Sequence, residues 1–166
     1  MDENRKIDTA FKLLDNVQNL IKFADTKINV LLVISGVTTT FILTIFQSLC
    51  DLNCISKIIL GLFFLTFISF VILSLQTISP RSAKHSGNSA SKTIYFKHIS
   101  SRVEVKDFID DYNKLTLETC LTDILYQVYE NSKIADKKFL FYGRSLIALQ
   151  IQTLLFILLI GLKYFS

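Results

Sequence analysis

Three runs of the chain carry no charged residue: Ile28 to Cys50, Ile58 to Pro80 and Ser145 to Leu162, of 23, 23 and 18 residues. At about 1.5 Å of rise per helical residue, the longer runs reach roughly 35 Å and the shorter one roughly 27 Å, against a hydrocarbon core of about 30 Å. A soluble helix of this length needs polar residues on one face at helical spacing. Ile58 to Phe70 (IILGLFFLTFISF) offers almost none. The pattern therefore predicts three transmembrane helices. Before the first of them, apolar residues recur by threes and fours at Ile7, Ala10, Leu14, Val17, Ile21, Ala24 and Ile28. That spacing predicts an amphipathic helix running straight into the first span. Spans one and two are joined by the seven residues Asp51 to Lys57, a connection short enough to make them an antiparallel hairpin. Pro80 marks the end of the second helix.

Beyond Pro80 the pattern changes. Arg81 to Lys92 (RSAKHSGNSASK) has the composition of a mobile loop. Thr93 to Ser100 (TIYFKHIS) mixes aromatic and β-branched residues and reads as a short strand or extended piece, which makes no sheet alone. Val103 to Asn113 reads as helix. Thr116 is the N-cap of a long amphipathic helix marked by Leu117, Leu121, Ile124, Val128, Ala135, Phe139 and Tyr142. Only Gly143 stands between that helix and the third span. The expected fold is all-α: an integral membrane protein with an N-terminal hairpin, a C-terminal span and a helical cytoplasmic segment. The expected divisions are 1–27 (amphipathic helix), 28–80 (hairpin), 81–144 (cytoplasmic helical segment) and 145–166 (last span).

Composition sharpens this picture. The chain is 51% hydrophobic and 19% charged, with one Pro and five Gly, which excludes disordered and collagen-like classes. The first 27 residues carry five acids and five bases and no short apolar core, which argues against a cleaved signal peptide. Eleven Lys or Arg lie between Arg81 and Arg144 and five precede the first span, whereas Lys57 is alone in the short connection. The positive-inside bias then puts the N-terminus and the 81–144 segment in the cytoplasm. A net charge of +4 is modest, and eight acids offset the eleven bases of that segment, so no nucleic-acid partner is implied. Cys50 and Cys54 would lie outside and Cys120 inside. A local Cys50 to Cys54 bridge and a pair of free thiols both remain open. The chain has no HExxH, CxxC, phosphate loop or GxSxG elbow, and its two histidines are His85 and His98. No catalytic residue, metal site or cofactor is expected. The adjacent Asp110 and Asp111 point to different helix faces and read as solvated surface.

A set of short motifs carries a resemblance. Ala24-Asp25-Thr26-Lys27 leads into Leu31-Leu32 and Gly36. Tyr95-Phe96-Lys97-His98-Ile99 follows, then Glu118, Asp123, Gln127, Asn131-Ser132-Lys133-Ile134-Ala135 and Lys138. In this order and spacing they resemble the transmembrane effectors of bacterial Pycsar anti-phage systems (PycTM), from about Asn19 to the end of the chain. The chain is also similar to the broader SLATT-type effectors of bacterial conflict systems. The resemblance implies an effector of the bacterial inner membrane, functionally paired with a pyrimidine nucleotide cyclase. Such an effector answers the cyclic nucleotide cUMP or cCMP by impairing membrane integrity, and the infected cell aborts phage replication.

Physical chemistry constrains such a device. Three spans do not enclose a pore, so a channel needs a homo-oligomer embedded in membrane lipid. On the first span Gly36, Thr40, Thr44 and Ser48 recur every four residues, with Ser35 and Thr39 beside them. This stripe allows close helix packing, its commoner use, or lines a wet pathway. Asp25 and Lys27 stand just before the span, as interfacial anchors or as an ionisable pair at a mouth. A cyclic nucleotide needs a cation for its phosphate, an aromatic or apolar plate and an amide or carboxylate for its base. Lys97, His98, Arg102 and Lys133 are candidates for the first; Tyr95, Phe96 or Tyr126 for the second; Asp123, Gln127 and Asn131, spaced by four on one helix face, for the third. The segment is too small for a β-roll nucleotide domain, so the ligand site is helical, and the signal could equally arrive through a partner. The alternative function is a membrane-anchored adaptor or scaffold without pore activity. A small transporter is disfavoured, because no charged residue interrupts the three runs.

Overall fold

A computed structural model describes residues 3–47, 54–79, 99 and 103–165. Among them are four helices: α1 (Glu3–Thr44), α2 (Cys54–Ile78), α3 (Val105–Asn113) and α4 (Leu117–Phe165). The described residues contain no strand. The 81–92 loop with His85, Pro80, Cys50, all of the 93–100 piece except Ile99, and Arg102 lie outside the described residues.

The amphipathic arm and the first span are one helix of 42 residues, about 63 Å long. Hydroxyl residues do not break it, because their Oγ atoms donate to the carbonyl one turn back: Thr26 to Lys22, Thr39 to Ser35 and Thr40 to Gly36, at 2.8–2.9 Å. In a lipid environment this keeps each hydroxyl satisfied inside its own helix. Helix α2 begins at Cys54, so Cys54 to Lys57 belong to the helix and not to the connection. The edge of a charge-free run is not a helix edge: Lys57 is a good helix former and nothing in CISK breaks a turn.

Helix α3 starts two residues later than the sequence pattern suggests, because Glu104 is extended (φ −121°, ψ 145°). Helix α4 has 49 residues and passes through Gly143 without interruption. Thr116 caps it: Thr119 N–H donates to Thr116 Oγ1 at 3.2 Å while Thr116 N–H donates to Thr119 Oγ1 at 3.0 Å. This is the reciprocal logic of a capping box with Thr in place of the usual acid. Three helices, α1, α2 and α4, are long and apolar enough to cross a membrane.

The chain forms two compact units, Met1–Ile21 with Arg81–Asp136, and Lys22–Pro80 with Lys137–Ser166. In the first, here the arm unit, Ala10 and Leu14 of α1 bury against Ile124 of α4, flanked by Ile7, Cys120, Leu121 and Val128. In the second, the span unit, α1, α2 and α4 meet at Ile42, Leu60, Phe63 and Leu159, with Leu155 and Phe156 around them. Phe156 also meets Phe41 edge-on at 5.7 Å between ring centres. Ala24, Ile28 and Phe70 are likewise buried in the span unit. Helix α3 buries no residue.

Candidate functional site

The core of the span unit is not uniformly apolar. Lys138 of α4 is 4% exposed, yet carries an ammonium group. It donates to Asp25 Oδ1 of α1 at 2.5 Å and to the backbone carbonyl of Thr77 at 2.8 Å. Thr77 stands in the last turn of α2, where carbonyls have no partner in their own helix, so one lysine ties three helices together. Lys27 takes no part in this. It is exposed, with its ammonium 5.2 Å from the centre of the Phe23 ring. Residues two apart on a helix do not face each other, which is why Asp25 turns to a lysine 113 positions away.

Farther along α1 and α4 lies a second polar cluster. Ser35 Oγ donates to Gln152 Oε1 at 2.8 Å, and Gln152 Nε2 donates to Thr39 Oγ1 at 3.1 Å and more loosely to Thr38 Oγ1 at 3.4 Å. Gln152 and Ser35 are fully buried. Between the two clusters Ser145 is buried and donates to its own helix at Phe141 O, whereas the buried Ser74 Oγ has no hydrogen-bond partner. An unpaired buried hydroxyl costs about 1 to 3 kcal/mol. Sequence reasoning missed Gln152, Ser145 and Ser74. Their signal was present, since a charge-free run is not a run free of polar groups, and an amide inside a span needs partners.

The stripe read from the first span occupies a different face. Thr40 and Thr44 are exposed and return their hydroxyls to α1 itself, and a methyl group at Gly36 would meet nothing within 4 Å. The close packing inside the span unit uses Ser35 and Thr39, one step around the helix. Ser48 lies outside the described residues.

In the arm unit, Asp123, Gln127 and Asn131 share one face of α4 and are all half-buried. Gln127 Nε2 is buried and unpartnered. Lys133 lies on another face, where its ammonium meets Glu130 Oε1 at 3.2 Å and stands 3.9 Å from the Tyr129 ring centre. Hydrogen bonding to Tyr129 raises its pKa, desolvation opposes this, and the Glu130 contact adds to the rise. Burial also pushes the Cys120 thiol up, and the nearby Asp123 carboxylate adds to this. Lys97 and His98, with Tyr95 and Phe96, lie outside the described residues. Among the described residues no group of three His, Cys, Asp or Glu side chains is placed to hold a metal ion.

Comparison with known proteins finds one matching family. The family model described as "Pycsar effector protein domain" matches residues 9–164. This chain belongs to the Pycsar effector family. Membership implies a part in anti-phage defence and pairing with a cyclase. The chain is 30% identical over 149 residues to the Pycsar effector protein EcPycTM of Escherichia coli, covering 84% of this chain and 80% of that one. No solved structure matches it. As in the family at large, the Pycsar effector chain is built on transmembrane helices, and α1 and α4 each contribute to both of its units.

Proposed function

We propose that this Pycsar effector responds to a cyclic pyrimidine mononucleotide, cUMP or cCMP, by impairing the integrity of the bacterial inner membrane, so that the infected cell aborts phage replication. It acts as a homo-oligomer in lipid, with its N-terminus in the cytoplasm. The observation that supports this best is that α1 and α4 are each one unbroken helix contributing to both units, so a ligand that rotates or tilts them in the arm unit acts on the very helices of the span unit. The unpartnered amide of Gln127, on a face with Asp123 and Asn131, supports a ligand that supplies an acceptor there.

The test is purified protein in liposomes under a potassium diffusion potential. Addition of cUMP or cCMP should collapse the potential, while cAMP and cGMP should not, and calorimetry with the four nucleotides should rank them in the same order. The adaptor reading draws on α3, whose Val105, Ile109 and Tyr112 are exposed as a partner-docking face would be. An intact potential with every nucleotide, despite measurable binding, favours the adaptor.

A further inference from the structure

Along α4 the positions facing the core of the span unit are Lys138, Ser145, Gln152 and Leu159, each seven residues after the last and all buried. The first three are polar and the fourth is not. At about 10 Å per step the four cover about 31 Å, close to the thickness of a hydrocarbon core. Helix α1 repeats the order, with Asp25, Ser35 and Thr39 followed by Ile42. Helix α2, running the other way, has Thr77 and Ser74 at the polar end and Phe63 and Leu60 at the apolar end. Interspersed with the buried Ile28, Phe70 and Leu149, these polar groups lie on the Lys138 side of the Ile42, Leu60, Phe63 and Leu159 cluster, with Ser56 a buried polar residue of α2 beyond it.

Helix association in lipid does not require this. Leu at Ser145 or Gln152 would pack without any polar group to satisfy, and polar residues buried within spans mark the paths of water and ions. Simple interhelical glue would leave every group paired. Gln152 fits that description, but Ser74 is fully buried with its Oγ unpartnered, the condition of a hydroxyl that awaits water.

We infer that the leak pathway of this effector is lined by Lys138, Ser145 and Gln152 of α4 with Ser35 and Thr39 of α1, and conducts water and small ions. Ile42, Leu60, Phe63 and Leu159 are its plug in the resting state. An apolar constriction of this kind stops ions by excluding water, without a physical lid. The inference rests on the membrane-impairing function proposed above, and it places the path on the inward face of the bundle, not on the stripe of Gly36 and the exposed Thr40 and Thr44. Activation parts the three helices and, in the homo-oligomer proposed above, turns these faces toward a shared path, wetting the column and displacing the plug.

The test uses the full chain in potassium-loaded liposomes. Leu159→Asn, which puts an amide into the plug, should leak at least tenfold faster than the parent chain with no nucleotide present. Gln152→Leu should cut nucleotide-triggered leak at least tenfold while nucleotide binding by calorimetry is unchanged. Its helix content should match the parent's and its melting in detergent should fall only by the cost of the Ser35 hydroxyl left without its acceptor. Gln152→Asn, which keeps the amide, should restore most of the leak. Parental leak from Gln152→Leu, or its loss in Thr40→Val with Gln152→Leu unaffected, overturns the assignment. Should the parent chain not answer any nucleotide, Leu159→Asn still decides: a nucleotide-free leak upholds the pathway while the ligand reading fails, and a tight membrane overturns the pathway.

Discussion

Lys138 and Asp25 do not depend on each other equally. The Lys138 side chain is 6% exposed and that of Asp25 is 38% exposed. Removing Asp25 strands a buried ammonium with a single carbonyl partner, a change of the kind that destabilises by about 3 to 5 kcal/mol. Removing Lys138 leaves a carboxylate that water can reach and one unpaired helix-end carbonyl, about 1 to 3 kcal/mol. Asp25→Leu should therefore lower the melting temperature in detergent more than Lys138→Met, and the double variant should melt above Asp25→Leu alone. An equal loss in both single variants would show that the pair is solvated after all. Cys120 offers a second test at this scale. Because burial and, to a lesser extent, the Asp123 carboxylate shift its thiol upward, its thiolate forms above the ordinary thiol range. In detergent its maleimide labelling should be slow at neutral pH and should still be rising with pH above the ordinary thiol range. The same sign governs stability: folding favours the protonated thiol, and the contribution, full below the ordinary thiol range, is lost as pH rises through the raised value. At residue scale the sequence was only half legible. It marked Asp25 as a group at the edge of a span, but a partner 113 positions away leaves no periodic trace, and adjacency pointed to Lys27 instead.

Elements were far more legible, because periodicity is a local property. The three-and-four spacing from Ile7 to Ile28 gave the arm helix, and Thr116 was visible as a cap before any geometry was known. Its bond from Thr119 N–H, at 3.2 Å, makes the consequence measurable. Thr116→Ala should cost about 1 kcal/mol and speed amide exchange over Leu117 to Cys120, with no effect beyond the next two turns. Uniform acceleration along α4 would mean that the cap matters to more than its own helix end. The start of α2 was misplaced for an instructive reason: charge marks where lipid ends, whereas helix continues through Cys54 to Lys57 until its backbone loses partners. The polar column was hidden by the same shortcut. Counting charges sorted Gln152 and Ser145 with leucine, although their hydrogen-bonding needs differ from it most inside a membrane.

For the whole molecule, the cytoplasmic N-terminus proposed above, followed by three spans, would leave Cys54 on the outer side. An impermeant maleimide added to intact spheroplasts should label Cys54 and spare Cys120 until the membrane is permeabilised; labelling of Cys120 alone would invert the topology. Transmission of the signal turns on Gly143, which α4 crosses without a break. A side chain there would meet nothing within 4 Å, so Gly143→Ala should be accepted and should add up to about 1 kcal/mol of helix stability. Gly143→Pro removes a helix hydrogen bond, and its ring clashes with the carbonyl one turn back, kinking the rod at about 3 kcal/mol. If a rigid α4 carries the response, the two variants should bind cUMP or cCMP alike by calorimetry, while Gly143→Ala leaks on nucleotide addition and Gly143→Pro does not. Equal leak from both would assign transmission to α1, because that helix is the other one shared by the two units and remains intact in either variant.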